Sequence, residues 1–271
     1  MGSLLAAVAS FLAARRHGQE WLLRMDDLDT PRAEPGAENR IVDALEQHGM
    51  VPDRPMMRQS ERRPVYQAAL DRLSGLGRCY YCTCSRKSLP RGAPYPGTCR
   101  HRSAPVDDAA IRLRLPDTDI CFTDAIQGSQ KIDLRRYGDP IVRRRDGIFA
   151  YALACAVDDG EPDITEVIRG ADLLRETAPQ LAIMDLLGLP RPAYAHVPVL
   201  MNAAGQKLSK QSHAAPIDGS TATSNLRLVF SALGIQGQPP GKATPAGLLE
   251  WATSRFDVGA VPARLPAGFP G

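Results

Sequence analysis

Nothing in the 271 residues approaches the ~18 uninterrupted apolar positions that a membrane-spanning helix needs. Strong charge of either sign is also missing, because 33 Lys and Arg against 30 Asp and Glu leave a net charge of +3. That balance is too mild to prove a nucleic-acid partner, yet compatible with local contacts to phosphates. The chain has no internal repeat, no Walker A loop and no G-x-G-x-x-G fingerprint, so a nucleotide site would need another architecture. At 44% hydrophobic and 23% charged it is not disordered, and its 23 Gly and 23 Pro follow no collagen-like period. A soluble globular protein of one or two domains remains, long enough to bury a substantial core.

The apolar start, residues 1–14, has its positive charges Arg15 and Arg16 after the apolar run rather than before it, the reverse of a signal peptide. Leu4, Leu5, Val8 and Leu12 share one helical face, and His17-Gly18 supplies an end. The expectation is a cytoplasmic protein that opens with a helix. Residues 21–25 read as a buried strand delivering Asp26, Asp27 and Asp29 at its end, a site-like feature. A helix through Ile41, Leu45 and His48 is expected next, then one N-capped by Ser60 and running through Tyr66, Leu70 and Leu73. Residues 111–115 alternate as a strand, and residues 141–142 and 148–157 flank Asp146-Gly147 as a hairpin would. Residues 165–168 are β-rich, and residues 177–187 are helical with Pro179 in the first turn. The order is that of an α/β core.

Cys79, Cys82, Cys84 and Cys99 crowd into one segment rich in Pro and Gly, which reads as an inserted subdomain needing a staple. Clustering without a secretion signal favours metal over disulfides. Cys82, Cys84 and Cys99 offer three thiolates for a tetrahedral zinc, and a fourth donor could be Cys79, His101 or Tyr95. The plain alternative is reduced thiols packed under a loop. Farther on, Lys207 and Lys210 flank Ser209 in a loop suited to a polyphosphate, because ammonium groups neutralise charge as a phosphoryl bond breaks. Such loops are also common solvated surface. Arg143, Arg144 and Arg145 can touch phosphates or form a solvated hairpin edge.

Five segments taken together resemble the class I glutamyl-tRNA synthetases: Arg24-Met-Asp-Asp-Leu-Asp29, Gln59-Ser-Glu-Arg62, Phe149-Ala-Tyr151 with Val157-Asp-Asp159, Ile168-Arg-Gly170-Ala-Asp172 and Lys207-Leu-Ser-Lys-Gln211. The Cys-x-Cys and Tyr-x-x-x-Cys arrangement, His213-Ala-Ala-Pro216 and the 60 residues after Gln211 point to the short paralogues without an anticodon-binding domain. The resemblance implies a Rossmann-type catalytic domain with an inserted zinc-binding subdomain. It also implies tRNA-independent activation of glutamate with ATP and Mg2+ to glutamyl-adenylate, followed by transfer to queuosine in the anticodon of tRNA(Asp), by a monomer without membrane contact. Expected boundaries are 1–78 for the first half of the catalytic domain, 79–105 for the zinc insertion, 106–215 for the remaining catalytic half and 216–271 for a short helical tail.

Carried over by position, Lys207 and Lys210 would contact ATP together with Gly2 and Ser3. Asp26, Tyr151 and Arg169 would bind glutamate, and Cys82, Cys84, Tyr95 and Cys99 would hold zinc. Arg169 suits a side-chain carboxylate, which a guanidinium grips with two parallel hydrogen bonds. Its plain alternative is a surface ion pair with Asp172 or Glu166, and that of Tyr151 is a core position in an apolar strand. Two departures stand out. Asp26 occupies the place of a Glu, one methylene shorter. Met1-Gly2-Ser3 aligns with the end of a histidine-bearing signature, so the first strand, the loop after it and the histidine are expected to be missing, with the true start upstream. The competing readings are a non-catalytic zinc- and tRNA-binding paralogue and a fragment of an ordinary glutamyl-tRNA synthetase.

Overall fold

The computed structural model describes residues 1–29, 34–85, 88, 93–200, 219–266 and 269. Helix α1 (Gly2–Arg16) turns Leu4, Leu5, Val8 and Leu12 into the core, as their spacing requires. The strand expected over residues 21–25 is only β1 (Arg24–Met25), paired in parallel with β2 (Met57–Arg58) across α2 (Ala37–Gln47). Residues 59–62 form a 3-10 turn that leads into α3 (Arg63–Gly75). Ser60 therefore does not cap a helix. Its backbone N–H and hydroxyl both donate to Asp27, at 2.8 and 2.5 Å, which fastens β1 to the start of α3.

Two further sheets follow. Strands β3 (Cys79–Cys82), β4 (Ala110–Leu113) and β7 (Ile141–Arg143) form an antiparallel sheet in the order β3-β4-β7. The antiparallel hairpin of β5 (Asp119–Asp124) and β6 (Gly128–Asp133) joins β8 (Glu166–Gly170) and β9 (Ala193–Val197) in the order β6-β5-β9-β8, with β9 parallel to both β5 and β8. The α/β class is as expected, in a mixed fold whose parallel strands lie in two separate sheets among the described residues.

Residues 151–159 are helix α4 (Tyr151–Asp159), not a strand. The run Tyr-Ala-Leu-Ala-Cys-Ala-Val is apolar all round, so periodicity cannot decide its state, and its alanines favour helix. Helix α5 (Leu174–Leu187) begins three residues before the expected start, after a 3-10 turn at Ala171–Leu173, so Pro179 lies beyond its first turn. The helix continues through it because Ala178, Leu181 and Ala182 are packed against the core, which outweighs one lost hydrogen bond. Helices α6 (Ala222–Ala232) and α7 (Pro245–Thr253) pack on α1 through Leu226, Phe230 and Leu248, while α3, α4 and α5 share a second core around Tyr66, Leu153 and Leu181. No helix among the described residues is long and apolar enough to cross a membrane.

Candidate functional site

The cysteine segment is pinned at both ends. Strand β3 fixes Cys82, and Tyr95 bridges to Gly138, whose φ of +80° and close approach demand glycine: a Cβ there would lie 2.7 Å from the Tyr95 nitrogen. Beside it, buried Asp139 accepts from the Tyr80 hydroxyl at 2.6 Å and from Arg100 at 2.6 and 2.8 Å, so the residue after Cys99 is tied to the neighbouring sheet. Burial pushes the Asp139 carboxyl up, and the hydrogen bonds from Arg100 and Tyr80 more than offset it, leaving it below the usual carboxylate range. Arg112 stacks 3.7 Å above the Tyr95 ring.

Within this frame the thiols of Cys82, Cys84 and Cys99 lie within 4.8 Å of one another. Cys84 Sγ is 3.7 Å from both Cys99 Sγ and the Tyr95 hydroxyl, and Cys82 Sγ is 3.4 Å from that hydroxyl. Zn–S bonds of ~2.3 Å in a tetrahedron put ligand sulfurs ~3.8 Å apart, so these four residues fit a zinc ion. Cys79 and His101 are not in the cluster, and burial pushes the Cys79 thiol up. The Tyr95 phenol is pushed up by burial and by the thiols around it.

The second cluster lines a cleft of about 730 Å³ between β1 and β8. Asp26, Tyr151 and Arg169 all line it, so three residues far apart in sequence are brought together there. Arg24 organises one wall: its guanidinium bonds Asp26 at 2.8 Å, Cys155 Sγ at 3.3 Å and the buried Asp159. Asp158, also buried, accepts from Gln59 at 2.8 Å, Arg62 at 2.8 Å and Tyr66 at 2.9 Å. Burial nonetheless raises its carboxyl above the ordinary range, as it pushes the Cys155 thiol up to about 12. Tyr151 opens α4 half-buried, and burial together with the Cys155 thiol raises its hydroxyl.

Arg169 is no surface ion-pair partner of Asp172 or Glu166. It is 8% exposed, and its Nη1 has no hydrogen bond and stands 3.6 Å from Asp159 Oδ2, which has none either. A buried charged donor without an acceptor costs more than ~1–3 kcal/mol, so this atom marks a place for an anion. Gly2 and Ser3 lie in the first turn of α1 and do not line the cleft. Lys207 and Lys210 lie outside the described residues.

A family profile described as "tRNA synthetases class I (E and Q), catalytic domain" matches residues 1–93 and 96–233. A glutamyl-Q tRNA(Asp) synthetase of Ectopseudomonas mendocina is 47% identical over 266 residues, covering 96% of this chain and 90% of its own. The chain belongs to the glutamyl-Q tRNA(Asp) synthetase family of class I. Another member, from Thiobacillus denitrificans, is 47% identical over 275 residues, covering 97% of this chain and 90% of its own length. The solved glutamate-tRNA synthetase of Elizabethkingia anophelis superposes with a TM-score of 0.78 at 25% identity, over 98% of this chain. The chain spans 65% of that synthetase's length.

Sequence reasoning about this synthetase placed Asp26, Tyr151 and Arg169 but gave no role to Arg24, Cys155 or His196, which contact or surround them. Arg24 carried a signal: a cation at the end of an apolar strand beside three carboxylates is rarely solvent-facing. Cys155 and His196 carried none, because their partners lie on other elements.

Proposed function

We propose that the chain activates L-glutamate with ATP, without tRNA, and transfers the glutamyl group to queuosine in the anticodon of tRNA(Asp). The observation that carries this reading is the cleft wall that sets Nη1 of buried Arg169, which makes no hydrogen bond, beside the acidic group of Asp26 and Asp159. Cationic and anionic groups facing one small cavity suit an amino acid with a second carboxylate. Arg169 would take that side-chain carboxylate, and Asp26 with Tyr151 the ammonium end. The relatives' shared name supplies the substrate class.

Activation needs no side-chain nucleophile. The substrate carboxylate attacks the α-phosphorus of ATP, and the protein contributes alignment and positive charge as pyrophosphate leaves. Lys207 and Lys210 are assigned to that charge with Mg2+, and Gly2 and Ser3 to the ATP side. Cys82, Cys84, Tyr95 and Cys99 would hold a structural zinc, since four protein ligands leave no open position for chemistry. A binding-only paralogue has no use for a buried arginine with a donor left over.

The test is glutamate-dependent ATP/pyrophosphate exchange without tRNA, then transfer of labelled glutamate to tRNA(Asp) with and without queuosine. Exchange without tRNA, and transfer only to the queuosine-bearing tRNA, is the expected result. Exchange that waits for tRNA(Glu) would instead support an ordinary glutamyl-tRNA synthetase, and no exchange would support the binding paralogue.

A further inference from the structure

Behind Arg169 runs a buried polar chain for which the chemistry above has no use. Asp124, at the end of β5, is 1% exposed, and His196 on β9, with Thr177 and Gln180 on α5, is fully buried. Oδ1 of Asp124 receives three backbone N–H groups, from Gln127 at 2.8 Å, Ile126 at 3.0 Å and His196 at 3.1 Å. Oδ2 is left for His196 Nδ1, 2.5 Å away. Burial pushes the Asp124 carboxyl up, but the hydrogen bonds from His196 and the Gln127 backbone hold it below the usual range, so it stays a carboxylate. A carboxylate has no proton to give, so His196 Nδ1 carries the hydrogen and Nε2 keeps its lone pair.

That lone pair faces one obligate donor, the Arg169 Nε–H, and a hydroxyl, that of Thr177, which also reaches the Leu173 carbonyl at 3.4 Å. Arg169 Nε lies 3.1 Å from it and the Thr177 hydroxyl 3.2 Å. A proton on Nε2 would oppose the Nε–H of a permanent cation, so the neutral tautomer is the one that fits. Thr177 Oγ1 and Gln180 Oε1 then accept from Arg169 Nη2 at 2.9 and 2.6 Å. Two of the three guanidinium nitrogens are thereby engaged on one side, and Nη1 is the one without a bond.

We propose that Asp124 sets the aim of Arg169 through His196: the carboxylate fixes the imidazole tautomer, the imidazole and α5 fix the guanidinium, and Nη1 is reserved for the substrate's side-chain carboxylate. Asp124 is a positioning residue, since it does not line the cleft. The inference rests on the reading of Arg169 as the carboxylate partner.

Asp124→Asn tests it with almost no change of shape. Three backbone donors require an oxygen at Oδ1, so the new amide must turn its NH2 toward His196 Nδ1 and force the proton onto Nε2, against Arg169. Calorimetric titration of the full chain with L-glutamate and separately with ATP reads the outcome. We expect Asp124→Asn to weaken glutamate binding about tenfold or more and to leave ATP binding within twofold. Arg169→Ala should weaken glutamate as well, and adding Asp124→Asn to it should change nothing further. Unchanged glutamate binding in Asp124→Asn, with Arg169→Ala impaired, overturns the positioning role alone. Unchanged binding in Arg169→Ala overturns the reading beneath it. Should Asp124→Asn not fold, the pair His196→Gln and His196→Asn decides: the longer amide can return an acceptor to Nε2's place and keep affinity, and the shorter one cannot. Equal affinities in that pair overturn the proposal.

Discussion

The cysteine loop and the β1–β8 cleft are both polar clusters in an apolar fold, and they are wired differently. In the loop, Cys82, Cys84, Tyr95 and Cys99 bond mainly to one another, and none of these contacts is an ion pair. In the cleft, charges are already cross-paired, Arg24 with Asp26 and Asp159, and Arg62 with Asp158 and Glu161. One group offers only the thiol and phenol donors that a metal would take. The other largely neutralises itself and leaves Arg169 Nη1 and Asp159 Oδ2, 3.6 Å apart, without hydrogen bonds. The difference teaches that the loop needs something from outside to be stable, whereas the cleft needs something from outside only to be used.

The comparison breaks most visibly if the cleft's own pairing is removed. Arg24→Ala leaves the 2%-exposed Asp159 with no hydrogen-bonded cation and only Arg169 Nη1 at 3.6 Å, and removing one partner of a buried pair costs about 3–5 kcal/mol. Urea denaturation should show a loss of that size, and a loss under about 1 kcal/mol would mean the pairing is dispensable. On the other side, Cys84→Ser should drop bound zinc from stoichiometric to a small fraction. It should also remove about 2.7 kcal/mol, the stabilisation given by a ligand present at about 100 times its dissociation constant. Metal analysis of purified protein reads the first and a thermal melt the second. Full zinc retention would remove Cys84 from the ligand set.

Gly138→Ala should cost about 1–3 kcal/mol through overpacking against Tyr95, with zinc affinity falling alongside stability because the same contact holds a ligand. The smallest effect is in pH. Asp139 has a depressed carboxyl, so its contribution to stability is complete above the unfolded value of about 3.9 and is lost as pH falls through the lower folded value. The parent should therefore lose more stability between neutral and acidic pH than Asp139→Asn does. Identical slopes in denaturation series would discount the carboxylate.

Legibility followed the same divide. The loop could be read from sequence because its donors sit within residues 82–99, and their spacing alone suggested a metal. The helices α1, α2 and α3 were legible from their periodic apolar faces. Tyr151 was expected on a strand and instead opens α4, since an apolar run has no period to separate strand from helix. The β5–β6 hairpin went unnoticed, and with it Asp124, because short half-exposed strands carry weak alternation. Arg169 was legible through its motif, but the Asp124–His196 support behind it arises only when β5, β8 and β9 are laid side by side.

Asp158 has a consequence in time as well as in energy. Its partners Gln59, Arg62 and Tyr66 stand 99, 96 and 92 positions away along the chain. Ties that close loops of such length gain nothing until most of the intervening chain is ordered, and contacts of this kind form late and slowly. The thiols of the cysteine loop meet across spans of 17 residues or fewer. In refolding, zinc capture should thus precede the recovery of glutamate binding, and the protein should pass through a stage in which it holds its metal but not yet its substrate.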